Sequence, residues 1–119
     1  MSEELVVSTP EEYTRLTTRK VKVPSEAVFN IRAMGANSMV YLIGIMPEEG
    51  VEGERELVKF TAKNLDGIVE HIVQPCIIAP AVEHLAFTDV VNLLVELMDL
   101  SGFAERDNPF REGKGGGGA

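Results

Sequence analysis

The residues able to do chemistry in this 119-residue chain are few, and their spacing does not suit it. The single cysteine, Cys76, is the nucleophile candidate, and the two histidines, His71 and His84, are the candidate bases. A thiol acting as nucleophile needs a base within hydrogen-bond reach. His71 precedes Cys76 by five residues with Pro75 intervening, which defines no such geometry. A metal site built from Cys76, His71, His84 and a carboxylate would lack the paired ligand spacing of zinc centres. Asp89, Glu96 and Asp99 fall, with Asn92, at intervals of three, four and three, which is one line along a helix. That line reads as a solvated strip rather than an acid–base pair. The glycines near the C-terminus precede no helix, so they form no phosphate loop. The sequence thus assigns no catalytic residue, no metal and no cofactor, and a small thiol-dependent enzyme ranks third among the readings.

The element that carries the polar line is the clearest in the chain. Thr88 reads as an N-cap, Asp89 lies in the first turn where the helix dipole favours it, and Gly102 lies where a C-cap wants glycine. The spacing predicts a helix over residues 88–101. Val90, Val91, Leu93, Leu94, Val95, Leu97, Met98 and Leu100 cover most of its circumference. An ordinary surface helix carries an apolar stripe somewhat over ~100° wide. The excess fits a central core helix, a helix that meets another chain, or both.

The remaining elements must position it. Thr9, Pro10 and Glu12 are an N-cap, a first-turn proline and a capping-box glutamate, predicting a short helix within residues 1–18, with Tyr13 and Leu16 as its contact points. Residues 19–33 switch to period two around Pro24-Ser25-Glu26, the pattern of a β-hairpin. One face would carry Val21, Val23, Phe29 and Ile31; Lys20, Lys22, Asn30 and Arg32 would lie on the other, and with Arg19 they make a basic, solvated patch. A lone hairpin is marginal, so its apolar face must lie on helices. Residues 37–46 follow, with Asn37 or Ser38 as cap. The run 39–46 has no charge, and periodicity alone cannot separate helix from strand there; the cap favours helix. Pro47 ends it, and residues 48–53 read as an acidic flexible loop. Residues 54–74 form a second long helix. Leu57, Val58, Thr61, Leu65, Ile68, Val69, Ile72 and Val73 line one side of it, and Lys59, Lys63, Asp66 and Glu70 the other. Gly67, within that helix, suits close approach by a neighbour. Pro75 stops it, residues 76–85 form an extended connector, and residues 104–119 form a flexible tail.

The expected fold is therefore α+β: one domain, with a hairpin packed on about three helices. A formal charge of −8 argues against nucleic acid, whose backbone demands Lys and Arg, and against anionic membranes. One cysteine permits no internal disulfide and fits a reducing compartment. Met1 is followed by Ser2-Glu3-Glu4, unlike the basic start of a secretory leader, and no apolar run approaches the ~20 residues that span a bilayer.

In order along the chain, the hairpin KVKVPSEAVFNIR, an apolar helix ending in IMPE, a helix running into IVEHIVQPCIIAP, and LAFTDVVNLLVELMDLSGF resemble the tail assembly chaperones of long-tailed phages and prophages. The resemblance spans residues 19–112 and rests on Pro24-Ser25-Glu26-Ala27, Pro75 to Pro80, Phe87-Thr88-Asp89 and Ser101-Gly102. It implies a small, non-enzymatic, mainly helical protein of the host cytoplasm. Such a protein coats the tape measure protein, keeps its hydrophobic helices soluble while tail tube subunits assemble, and is absent from the finished tail. Many such genes make two products by programmed frameshift, and Glu112-Gly113-Lys114 can be encoded by a slippery run.

A helix apolar over most of its surface could lend a groove to an amphipathic helix. The candidate partner-binding residues are accordingly Val90, Val91, Leu94, Val95, Leu97 and Met98 on the last helix, and Met39, Leu42, Ile43 and Met46 on the earlier one. The expected partners are the tape measure protein and the tail tube protein, with self-association left open. The alternative is a structural virion protein such as a head–tail connector.

Overall fold

The computed structural model describes residues 4–102. The tail and the frameshift candidate at residues 112–114 lie outside them. Strand β1 (Thr18–Lys22) pairs antiparallel with β2 (Val28–Arg32), in a register that sets Val21 opposite Phe29 and Lys20 opposite Asn30. Val21, Val23, Phe29 and Ile31 are all buried, as the period-two pattern requires. The turn closes through Glu26 N–H to Val23 O at 2.7 Å and Val23 N–H to Ala27 O at 2.9 Å, with Glu26 at φ +81°.

Two short elements complete this end of the molecule. Helix α1 (Pro10–Leu16) has the full capping box: Glu12 N–H donates to Thr9 Oγ1 at 3.1 Å, and Thr9 N–H donates to Glu12 Oε1 at 2.8 Å. Tyr13 and Leu16, expected to anchor it, are 65% and 69% exposed, and no residue of α1 is buried. The cap defines the helix, but seven residues are too few to cover their own apolar side. Beyond β2, a third strand, β3 (Ile77–Ala79), adds antiparallel to give the order β1-β2-β3. It lies within the expected connector; three residues are too short for their period to be legible.

Helix α2 (Ala36–Ile45) resolves the charge-free run as helix. Its N-cap is Gly35, not Asn37 or Ser38. Ser38 faces inward and donates from Oγ to the carbonyl of His71 at 2.7 Å. That carbonyl lies four residues before Pro75, which has no N–H to offer it.

The second long helix is broken into pieces. Helix α3 (Gly53–Lys63) ends at Asn64, whose backbone N–H and side-chain amide both donate to Phe60 O, at 3.2 and 3.0 Å. The chain then re-enters helix as α4 (Leu65–Ile68), widens to a π-helical turn (Val69–Val73) and closes as α5 (Gln74–Cys76). Among the apolar positions, Leu57, Thr61, Ile68, Ile72 and Val73 are buried, while Lys59, Lys63, Asp66 and Glu70 are exposed. Gly67 admits a close neighbour: a Cβ there would fall on the hydroxyl of Tyr41. The acidic loop is anchored by Val51, only 4% exposed, so it is not a free loop.

Helix α6 (Phe87–Leu100) is the spine of the core. Val90, Leu93, Leu94, Leu97 and Met98 are at most 1% exposed. Its N-cap is Ala86, two residues earlier than the expected Thr88, and it lacks a side-chain cap bond. At the other end Gly102 takes φ +106°, the conformation that favours glycine beyond a helix.

Candidate partner-binding surface

The polar line of α6 faces the hairpin, with Asp89 buried and the Glu96 and Asp99 side chains 24% and 29% exposed. Asp89, 4% exposed, accepts from Ser25 N–H at 3.0 Å and from Ser25 Oγ at 2.7 Å. Glu96 and Asp99 receive the Arg19 guanidinium at 3.1 and 3.5 Å. Ser101 Oγ accepts from Met34 N–H at 2.8 Å. The hairpin therefore lies along α6, tied at its turn, along β1 and just beyond β2. This corrects two expectations: Asp89 is buried and Glu96 and Asp99 are paired, so the carboxylates are not a free solvated strip, and Arg19 is paired with them instead of joining the basic patch. A helix can bury carboxylates when donors meet them, and β1 and the hairpin turn bring those donors.

The same packing decides which candidate residues are available to a partner. Val90, Leu94, Leu97 and Met98 of α6, and Leu42 of α2, are enclosed by this chain's own core, so they are not surface contacts. Val91, Val95, Met39 and Met46 are half-buried. Ile43 stands out at 61% exposed. Among the described residues the hairpin, the π turn and α3 cover most of the last helix, and a cleft of about 640 Å³ reaches it at Phe87 and Val90, beside Leu65, Val69 and Leu85.

The surplus apolar surface lies on α2 instead. Its inner side carries Ser38, Leu42 and half-buried Tyr41 and Ile45. Its outer side carries Ala36, Val40, Ile43 and Gly44, with Val40 69% exposed and open space beyond the Cα of Gly44. A helix without a charge on any side is normally enclosed. At the C-terminal end of α2 a separate cleft of about 600 Å³ opens on the Ile45 side, with Pro47, Val51 and Phe60 among its lining and Glu49, Glu52 and Glu56 beside Lys59 and Lys63. Val40 was legible in the sequence, three residues before Ile43 in the charge-free run. A second apolar stretch, Leu5-Val6-Val7, is 91%, 84% and 91% exposed.

The groups able to do chemistry are not brought together. Cys76 is 2% exposed, and burial pushes its thiol upward from the ordinary value, against smaller opposing effects of a hydrogen bond with Ser38 and the charge of Arg32. An activated thiol needs the opposite shift. His71 is exposed and its ring lies 4.4 Å from that of Tyr41, tilted by 33°. His84 is exposed on the connector. Among the described residues no hydrogen bond joins Cys76 to either histidine, and no group of three or more His, Cys, Asp or Glu could hold a metal ion. No helix among them is long and apolar enough to cross a membrane.

No protein-family model, no curated protein and no solved structure matches this chain.

Proposed function

We propose that this chain is a tail assembly chaperone of the kind its sequence resembles, a non-enzymatic protein that holds helices of a phage tape measure protein in solution in the host cytoplasm. The observation that carries the reading is the outer face of α2. Val40 and Ile43 remain mostly in water on a charge-free helix whose other side is already packed. Gly44 leaves room for a partner helix to approach closely. Covering each of the two larger side chains would contribute roughly 1–2 kcal/mol at their present exposure. The site takes the apolar face of an amphipathic helix. The net charge of −8 keeps a loaded complex dispersed.

The test is co-expression with the tape measure product of the same genome. The wild-type chain should keep it soluble and elute with it, and Val40→Asp combined with Ile43→Asp should lose both effects while retaining the wild-type unfolding curve. Equal solubilisation by the variant would overturn the reading. Detection of the chain in stoichiometric amounts in finished particles would turn it toward a structural virion component.

A further inference from the structure

Among the described residues the segment before α1 and the outer edge of the hairpin are both left unpartnered, and they are complementary. Residues 4–9 have no regular structure, yet they present Leu5, Val6 and Val7 almost wholly to water. Three consecutive apolar residues, two of them β-branched, favour an extended strand. Among the described residues strand β1 pairs only with β2. Val23 N–H donates to Ala27 O, and Ala33 N–H donates to Thr17 O, so the odd-numbered residues of this strand bond to β2. The backbone groups of Thr18, Lys20 and Lys22 therefore turn outward, as an open template for another strand.

Charge points to the occupant. The exposed hairpin face carries Lys20, Lys22 and Arg32 on a molecule of net charge −8. Among the described residues Lys22 is paired with Glu26, whereas Lys20 and Arg32 have no carboxylate within salt-bridge distance. The free segment brings Glu4 directly before its apolar run, with Glu3 preceding it in sequence. Two copies of so acidic a chain repel each other overall, and this is where opposite charges can meet. Residues 9–17 join the segment to its own β1, and with seven of them fixed in α1 the segment is not paired with that edge in the structure.

We propose that residues 4–8 of one copy add as a strand to the outer edge of β1 in a second copy, reciprocally, forming a closed two-fold dimer. Neither Val40 nor Ile43 takes part. The dimer and the client face therefore stand or fall separately.

Sedimentation velocity on the full chain tests this. The wild type should sediment as two 13.0 kDa chains. Val6→Pro removes a strand N–H without adding charge, and Val6→Asp places a charge in the run. Because Val6 is 84% exposed, both should keep the wild-type circular dichroism yet sediment as monomers. Lys20→Glu should weaken the dimer, and adding Glu4→Lys in the same chain should restore it. A wild type that stays monomeric across a wide concentration range overturns the proposal. So does a dimer indifferent to Val6→Pro.

Discussion

Asp89, in the first turn of α6, accepts hydrogen bonds from both the backbone N–H and the hydroxyl of Ser25, at 3.0 and 2.7 Å, and so fixes the hairpin turn to the start of the core helix. Sixty-four residues separate the two, so the contact closes a long loop between elements that must otherwise find each other through apolar packing alone. The carboxylate is buried and the serine is at the surface.

That asymmetry sets the expected energetics. Asp89→Ala should cost about 2–3 kcal/mol, because two hydrogen bonds to a charged acceptor are lost. Ser25→Ala should cost about 1 kcal/mol, since its backbone donor remains. The double variant should show a coupling of roughly 1 kcal/mol in urea unfolding; costs that simply add, within about 0.3–0.5 kcal/mol, would mean the pair does not act as a unit.

Glu26 occupies the left-handed region at φ +81°, where a side chain is strained and glycine is not. Its ion pair with Lys22, at 3.1 Å, is between largely exposed side chains and contributes little. Glu26→Gly should therefore stabilise the fold by about 1 kcal/mol, seen as a raised urea midpoint with an unchanged slope. A lowered midpoint would show that the ion pair outweighs the backbone strain.

Cys76 links stability to alkaline pH. Burial holds its thiol above the ordinary value of 9.0 in the folded state, so the native chain retains a proton that the unfolded chain releases. The stabilisation is complete below about 9.0 and is lost as pH rises through the folded-state value. Chemical unfolding from neutral pH to above that value should show a decline that is shallower in Cys76→Ala, whatever that variant's stability at neutral pH. In the native wild type the thiol should also resist alkylation until denaturant is added. Parallel declines in the two proteins would contradict the assignment.

Much of the local structure was legible because it depends on neighbours in sequence. The capping box of α1, the period-two hairpin face and the glycine beyond α6 each follow from residues a few positions apart. Gly67 was also readable as a point of close approach, although only the fold supplies Tyr41 as the neighbour. The break after Lys63 was not, because the 3.6-residue period continues through Asn64 while the Asn64 backbone leaves the helical region at φ −116° and ψ 25°.

By itself the sequence determined the α+β class, the inward face of the hairpin and the apolar character of α2 and α6, since periodicity and charge are local properties. Only the tertiary structure decided which apolar surface stays open. α6 has more apolar surface than α2, yet most of it is enclosed, because the carboxylates of its polar line meet donors in Ser25 and Arg19 and hold the hairpin along it. α2 has no such polar line and packs on one side alone, leaving Val40 and Ile43 in water. Which side a helix buries depends on partners brought from elsewhere in the chain, and no pattern within the helix specifies them.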